Sequence, residues 1–205
     1  MKNVFALCMM TVIVSLLGFI VENVWLAVTC GYMNNRNMVL PFLFGYGLAV
    51  TAIYLIFGTP REMRLFSYEI PFENQTAGMV TYFCVVMLGI SLGEMLLGMT
   101  VERLCGIVWW DYTHLPLHIT RYTSVPTSLG FTVMIFHFMD NTFVSLYNFF
   151  LSWKYELLAV TAIIFTVMLS IDFIRSGYLM YRNRTLLKLW QIETKKNKLY
   201  RLLHR

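Results

Sequence analysis

Six charged side chains stand in or beside apolar sequence that gives them little reason to be there. Glu22 closes the block Gly18-Phe19-Ile20-Val21-Glu22, and Glu102 closes Gly98-Met99-Thr100-Val101-Glu102, each late in a long apolar run. A charged side chain near the centre of a membrane helix costs roughly 2.5–3.5 kcal/mol, so an ionised glutamate there must face protein or water and have a partner. Arg36 and Arg121, 14 and 19 residues further on, are the candidates, bonding within the same segment or swapped between the two. Glu94 lies two helical turns before Glu102 with Gly98 between them, which puts both carboxylates on one broad face. Neighbouring carboxylates in low dielectric raise one another's pKa, and such a site suits proton exchange or cation binding. Arg103, beside Glu102, is a second group able to neutralise it. The same charges would equally serve as salt bridges that only lock helices together.

The remaining polar residues support less chemistry. Asp111, His114 and His118 follow the aromatic run Trp109-Trp110. Pro116 breaks the helical register between the two histidines and no cysteine joins them, so no metal is expected. Asp172 and the His137/Asp140 pair read as boundary residues or interhelical hydrogen bonds. Cys8, Cys30, Cys84 and Cys105 lack Cys-x-x-Cys spacing and read as small buried apolar residues. Asn74-Gln75-Thr76 fits a glycosylation acceptor, a pattern short enough to arise by chance. No Gly-x-Ser-x-Gly, His-Glu-x-x-His or nucleotide-binding loop occurs, so no cofactor is expected and no ATP is hydrolysed by this chain itself.

The elements that must position these groups are membrane helices. Of the 205 residues, 58% are hydrophobic and 13% charged, with a mean hydropathy of +0.63, against about a quarter charged in ordinary soluble domains. That excludes a large soluble enzyme, and an aromatic content of 16% excludes disorder. About 20 apolar residues cross a bilayer, and five windows qualify, near Val4–Val28, Leu40–Phe57, Thr76–Ile107, Val125–Leu151 and Leu157–Ile174. The first lacks a small-residue cleavage site and reads as a retained span. The net charge of +5 hides two unlike parts, because residues 181–205 carry +7 and everything before them −2. Leucines and Trp190 interleave with those cations at roughly helical spacing, so residues 181–205 read as a basic cytoplasmic tail helix at the membrane surface. The positive-inside rule then places the amino terminus outside, the loops around Arg36 and Arg121 inside, and Lys2, Arg61 and Arg64 outside. No feature points to nucleic acid.

Self-similarity organises the spans further. The two Gly-x-x-Val-Glu blocks are followed by Arg36, Pro41, Gly45 and Tyr46 in one case and by Arg121, Pro126, Gly130 and Phe131 in the other, with identical internal spacing. This predicts an all-α polytopic bundle: a transmembrane domain over 1–180, with hairpin repeats at about 4–57 and 76–151 and a fifth span at about 157–174. The copies run the same way across the membrane, the parallel-repeat arrangement.

Glu22, Asn35-Arg36, Pro41 with Tyr46-Gly47, Glu94, Glu102 and Trp110-Asp111-Tyr112 followed by Pro116 together carry a resemblance. Over most of its length outside the tail, the chain resembles a bacterial family of ABC-transporter type IV (CmpB-like) membrane proteins. Members more often carry Asn where His118 stands. The resemblance implies a permease-like role in a bacterial cytoplasmic membrane, with no ATPase of its own. The leading expectation is therefore a protein moving a small solute or ion through a polar cavity between the hairpins, lined by Glu22, Arg36, Glu102 and Arg121. Its partners would be membrane lipids, a cytoplasmic ATPase subunit and a second copy of the chain, with coupled protons the other energy source. Two other classes stay open. One is a membrane enzyme on a lipid substrate, with Glu102 and Asp111 as acid/base groups and Arg121 on a phosphate. The other is a non-catalytic assembly protein.

Overall fold

The structure is a computed structural model that describes residues 1–194. Helix accounts for 66% of the described residues, and the strands are pieces of two or three residues, so the class is all-α. The chain divides into two compact units, residues 1–49 with 153 onward, and residues 50–152.

The first unit is built on α1 (Lys2–Thr29) and α6 (Tyr155–Asn183), both long and apolar enough to cross a membrane. Such helices must satisfy their own polar groups, and Thr11 and Ser15 do so by donating to the carbonyls of Leu7 at 3.0 Å and Thr11 at 2.6 Å. α1 and α6 pack together and run in the same direction. Phe5 meets Tyr155 near both amino ends, while β1 (Tyr32–Asn34) pairs with β6 (Gln191–Glu193) beyond both carboxyl ends. Between β1 and α2 (Phe44–Phe57), residues 35–43 are not helical. Their backbone donors are met by side chains and carbonyls of the long helices. The buried Asp172 carboxylate of α6 accepts from Val39 N at 3.1 Å and Leu40 N at 2.9 Å, and Ser15 O of α1 accepts from Leu43 N at 2.9 Å. Val12, Phe44 and Leu169 form the core there.

The second unit holds the rest of α2, the hairpin of β2 (Arg64–Leu65) and β3 (Tyr68–Glu69), and α3 (Gln75–Cys105), a third helix of spanning length. Asn74 caps α3 by accepting from Thr76 N at 2.9 Å, and Gly106 ends it with φ 66°, so the glycosylation-like triplet is a helix start. β4 (His118–Thr120) and β5 (Thr123–Ser124) lead into α4 (Val125–Asn141), capped by Ser124 with Pro126 in its first turn. α5 (Phe143–Ser152) follows after a 49° bend at Thr142. Met63, Tyr82 and Val86 form this unit's core.

Two expectations change. Past α6 the described part of the tail is not a helix: Arg184 ends α6 in the left-handed conformation with φ 54°, residues 187–190 are irregular, and residues 191–193 form a strand. Their backbone is bound by asparagine side chains and by β1 rather than by itself, while residues 195–205 of the expected helix lie outside the described residues. The cysteines are not uniformly buried, since Cys105 is but Cys30 and Cys84 are exposed.

Candidate functional site

In the first unit, Glu22 sits two turns before the end of α1. Its carboxylate accepts from Arg36 at 3.1 Å and from the Tyr46 hydroxyl, with the two charged side chains 14% and 20% exposed. Gly18, one turn earlier, makes this possible. A Cβ there would lie 2.8 Å from Tyr46 Cβ, so a bare α-carbon lets the tyrosine lie flat on α1 and reach Glu22. Gly47 brings α2 closer still, with an added Cβ falling 2.2 Å from Thr11 O. Arg36 itself is at φ 46° and Asn37 at φ 68°, a region that asparagine tolerates and arginine adopts at a cost. Side-chain amides hold that turn. Asn34 Oδ1 accepts from Arg36 N and Asn23 Oδ1 from Asn34 N, both at 2.9 Å.

The turn is clasped from outside by the chain beyond α6. Asn35, 2% exposed, donates to Met38 O and Leu187 O at 2.9 Å and accepts from Leu189 N at 3.1 Å. Asn37 Oδ1 accepts from Leu187 N.

In the second unit, Arg121 donates to Glu102 at 3.0 Å, with the side chains 43% and 38% exposed. Again a glycine one turn before the acid is covered by a tyrosine, here Tyr122, whose ring would lie 2.4 Å from a Cβ on Gly98. The Trp110-Asp111-Tyr112 segment positions this pair. Trp110 Nε1 donates to Tyr122 O, and Tyr112 N to Arg121 O, both at 2.8 Å. Asp111 accepts from Thr113 N at 2.9 Å, a turn contact that favours the charged form. That backbone bond first, then the Thr113 hydroxyl, holds its carboxyl below the usual value, with smaller help from Arg121 and His114. Trp110 and Tyr112 thus fix the chain that carries Arg121, and Asp111 closes the turn beside them.

Glu94 faces the same segment. Its Oε2 accepts from Thr123 Oγ1 at 2.8 Å and Ser128 Oγ at 3.3 Å, and both hydroxyl residues are fully buried. Glu94 and Glu102 therefore share a face of α3, roughly 12 Å apart along its axis, each with its own partners. Arg103 is not drawn in, being exposed in the last turn of α3 and in no ion pair among the described residues. His118 is exposed, with Nδ1 3.1 Å from Leu115 O.

Three contacts were not anticipated. The Tyr46–Glu22 bond had a signal, since Tyr46 stands at a matched position of the two segments. The hydroxyl cradle of Glu94 had none. The third is the grip of Arg61 on Asp140, with Nε at 2.7 Å and Nη2 at 3.3 Å, where His137 and Asp140 had been paired instead.

Long apolar helices whose few acids are tied by arginine, phenol or hydroxyl groups define a polytopic α-helical membrane protein. A family model described as Putative ABC-transporter type IV matches residues 9–177, and the chain belongs to that family. No curated protein and no solved structure matches it.

Proposed function

We propose that the protein is a permease that moves a small solute or ion across the bacterial cytoplasmic membrane. The polar groups the solute meets are Glu22 with Arg36 and Glu102 with Arg121. The single observation carrying this reading is that two separate segments each end an apolar helix in a glycine, a tyrosine laid over it, and a glutamate held by its own segment's arginine. The glycine, glutamate and arginine stand at matched positions and support an internal repeat, although the two tyrosines do not, and the family supports transport.

The topology proposed has five spans. Because α1 and α6 run in the same direction, an odd number of crossings separates them, giving three or five spans but not four. Five requires the bent α4–α5 pair and α2 to cross. The 14 residues of α2 reach roughly 21 Å, and residues 39–43, bonded to Asp172 and Ser15, complete the distance as protein-covered backbone. The shared carboxyl end of α1 and α6 carries Arg36, Arg175, Arg182, Arg184 and Lys188, which favours a cytoplasmic face. Energy comes from a separate ATPase subunit or from coupled protons.

The lipid-enzyme reading gains no support, because Arg121 is engaged by Glu102 and Asp111 by Thr113. The test is reconstitution into liposomes carrying an internal pH dye, with a panel of labelled small solutes under an imposed proton gradient. Flux above empty liposomes is expected, falling at least tenfold when Glu22, Arg36, Glu102 and Arg121 are all changed to Gln. Undiminished flux in a folded quadruple variant overturns the assignment and leaves the charges structural.

A further inference from the structure

The second unit contains a half-open cavity of about 620 Å³ bordered by the end of α2, the β2–β3 hairpin, the first turn of α3 and α5. That is within the range of sites for small organic ligands, about 300–1,000 Å³. It lies apart from the Glu102–Arg121 pair: Gln75 on its wall is roughly 40 Å along α3 from Glu102. Tyr54, Phe72, Phe143 and Tyr147 give it aromatic walls.

Arg64 is its underused cation. A guanidinium carries five N–H donors, yet among the described residues the Arg64 side chain makes one hydrogen bond, from Nη2 to Tyr54 O at 3.3 Å. Its Nε is closed off from solvent and bonds nothing. The group lies 5.0 Å from the centre of the Tyr54 ring, so it is held over an aromatic surface rather than against an acid. Arg61, also on the wall, is committed to Asp140. A carboxylate, with its two oxygens and single charge, matches the paired N–H donors of a guanidinium. The exposed Glu62 and Glu69 on the wall disfavour a second negative charge.

We propose that this cavity binds a monocarboxylate with an apolar body, its carboxylate on Arg64 and its body against Tyr54, Phe72 and Tyr147. Neither site depends on the other, and a binding measurement separates this proposal from the transport reading. Titration calorimetry of the full chain in a non-ionic detergent would use 4-phenylbutyrate, decanoate and the neutral 4-phenylbutanol. The acids bind saturably and at least tenfold tighter than the alcohol. Phenylbutyrate binding tighter than decanoate points to a soluble aromatic acid, and the reverse order to an acyl chain from the membrane. Arg64→Gln weakens the acid at least tenfold, and Val144→Trp, which fills the cavity from α5 without touching Arg64, abolishes binding. Equal affinity for acid and alcohol overturns the proposal. So does acid binding that survives both substitutions in folded protein.

Discussion

Glu22 and Glu102 look equivalent in the sequence but differ in what surrounds them. Glu22 is mostly enclosed, with a guanidinium and a phenol as donors; Phe131 stands at the position matched to Tyr46 and has no hydroxyl to offer Glu102. The more open Glu102–Arg121 pair is screened by solvent. Removing one partner of an enclosed pair strands the other, which costs about 3–5 kcal/mol when burial is complete and less at this partial exposure. An exposed pair is worth about 0–1 kcal/mol. Glu22→Gln should therefore destabilise the protein by roughly 2 kcal/mol, and Glu102→Gln by under about 1 kcal/mol. Chemical unfolding of the purified variants in detergent checks this, and equal losses would mean that the two sites are enclosed alike. The partnership of these acids with arginines was legible, because an apolar chain contains few cations and a buried carboxylate needs one. The hydroxyl partners were not legible. Ser, Thr and Tyr are frequent, and which of them turns toward Glu94 or Glu22 depends on the course of loops that no periodicity encodes.

At the scale of elements, helix existence followed from apolar length, and the errors fall where backbone hydrogen bonds go to side chains. The leucines after Arg184 have helical spacing, but spacing does not decide the matter when another partner takes the backbone. Asn35 and Asn37 bind the amides of Leu187 and Leu189, and β1 takes residues 191–193. The strap so formed holds the turn that carries Arg36. In Asn35→Ala three hydrogen bonds go at once, two of them to the strap, at about 1 kcal/mol each. Amide exchange at Leu187 and Leu189 should accelerate by roughly tenfold or more, with exchange in the middle of α3, in the other unit, unchanged. Unaltered exchange at both leucines would show that Asn37 and the β1 pairing secure the strap without Asn35. The Trp110-Asp111-Tyr112 segment teaches the same lesson from the other side. Its residue types do not announce a brace, yet Trp110 and Tyr112 bond the chain around Arg121.

For the whole molecule, the open quantity is how many times the chain crosses the membrane, and the direction of two helices narrows it. Parallel α1 and α6 leave three or five spans, and the two answers place the same loops on opposite sides. With five, Ser67 in the β2–β3 hairpin is outside and Thr113 inside. With three, formed by α1, α3 and α6 alone, Ser67 is inside and Thr113 outside. Sequence windows could not decide this, because α2 is short as a helix and is preceded by the non-helical residues 39–43, where the amides of Val39 and Leu40 are met by Asp172, more than 130 residues away. Single cysteines at Ser67 and Thr113, in a background with Cys8, Cys30, Cys84 and Cys105 replaced, would be treated with a membrane-impermeant maleimide in right-side-out vesicles. Labelling at Ser67 but not Thr113 is the five-span outcome, and it also puts the Glu102–Arg121 end of α3 in the cytoplasm, where an ATPase subunit could reach it. The opposite pattern fits three spans and turns that end of α3 outward, which removes the proposed coupling to a cytoplasmic motor even if both ion pairs remain intact.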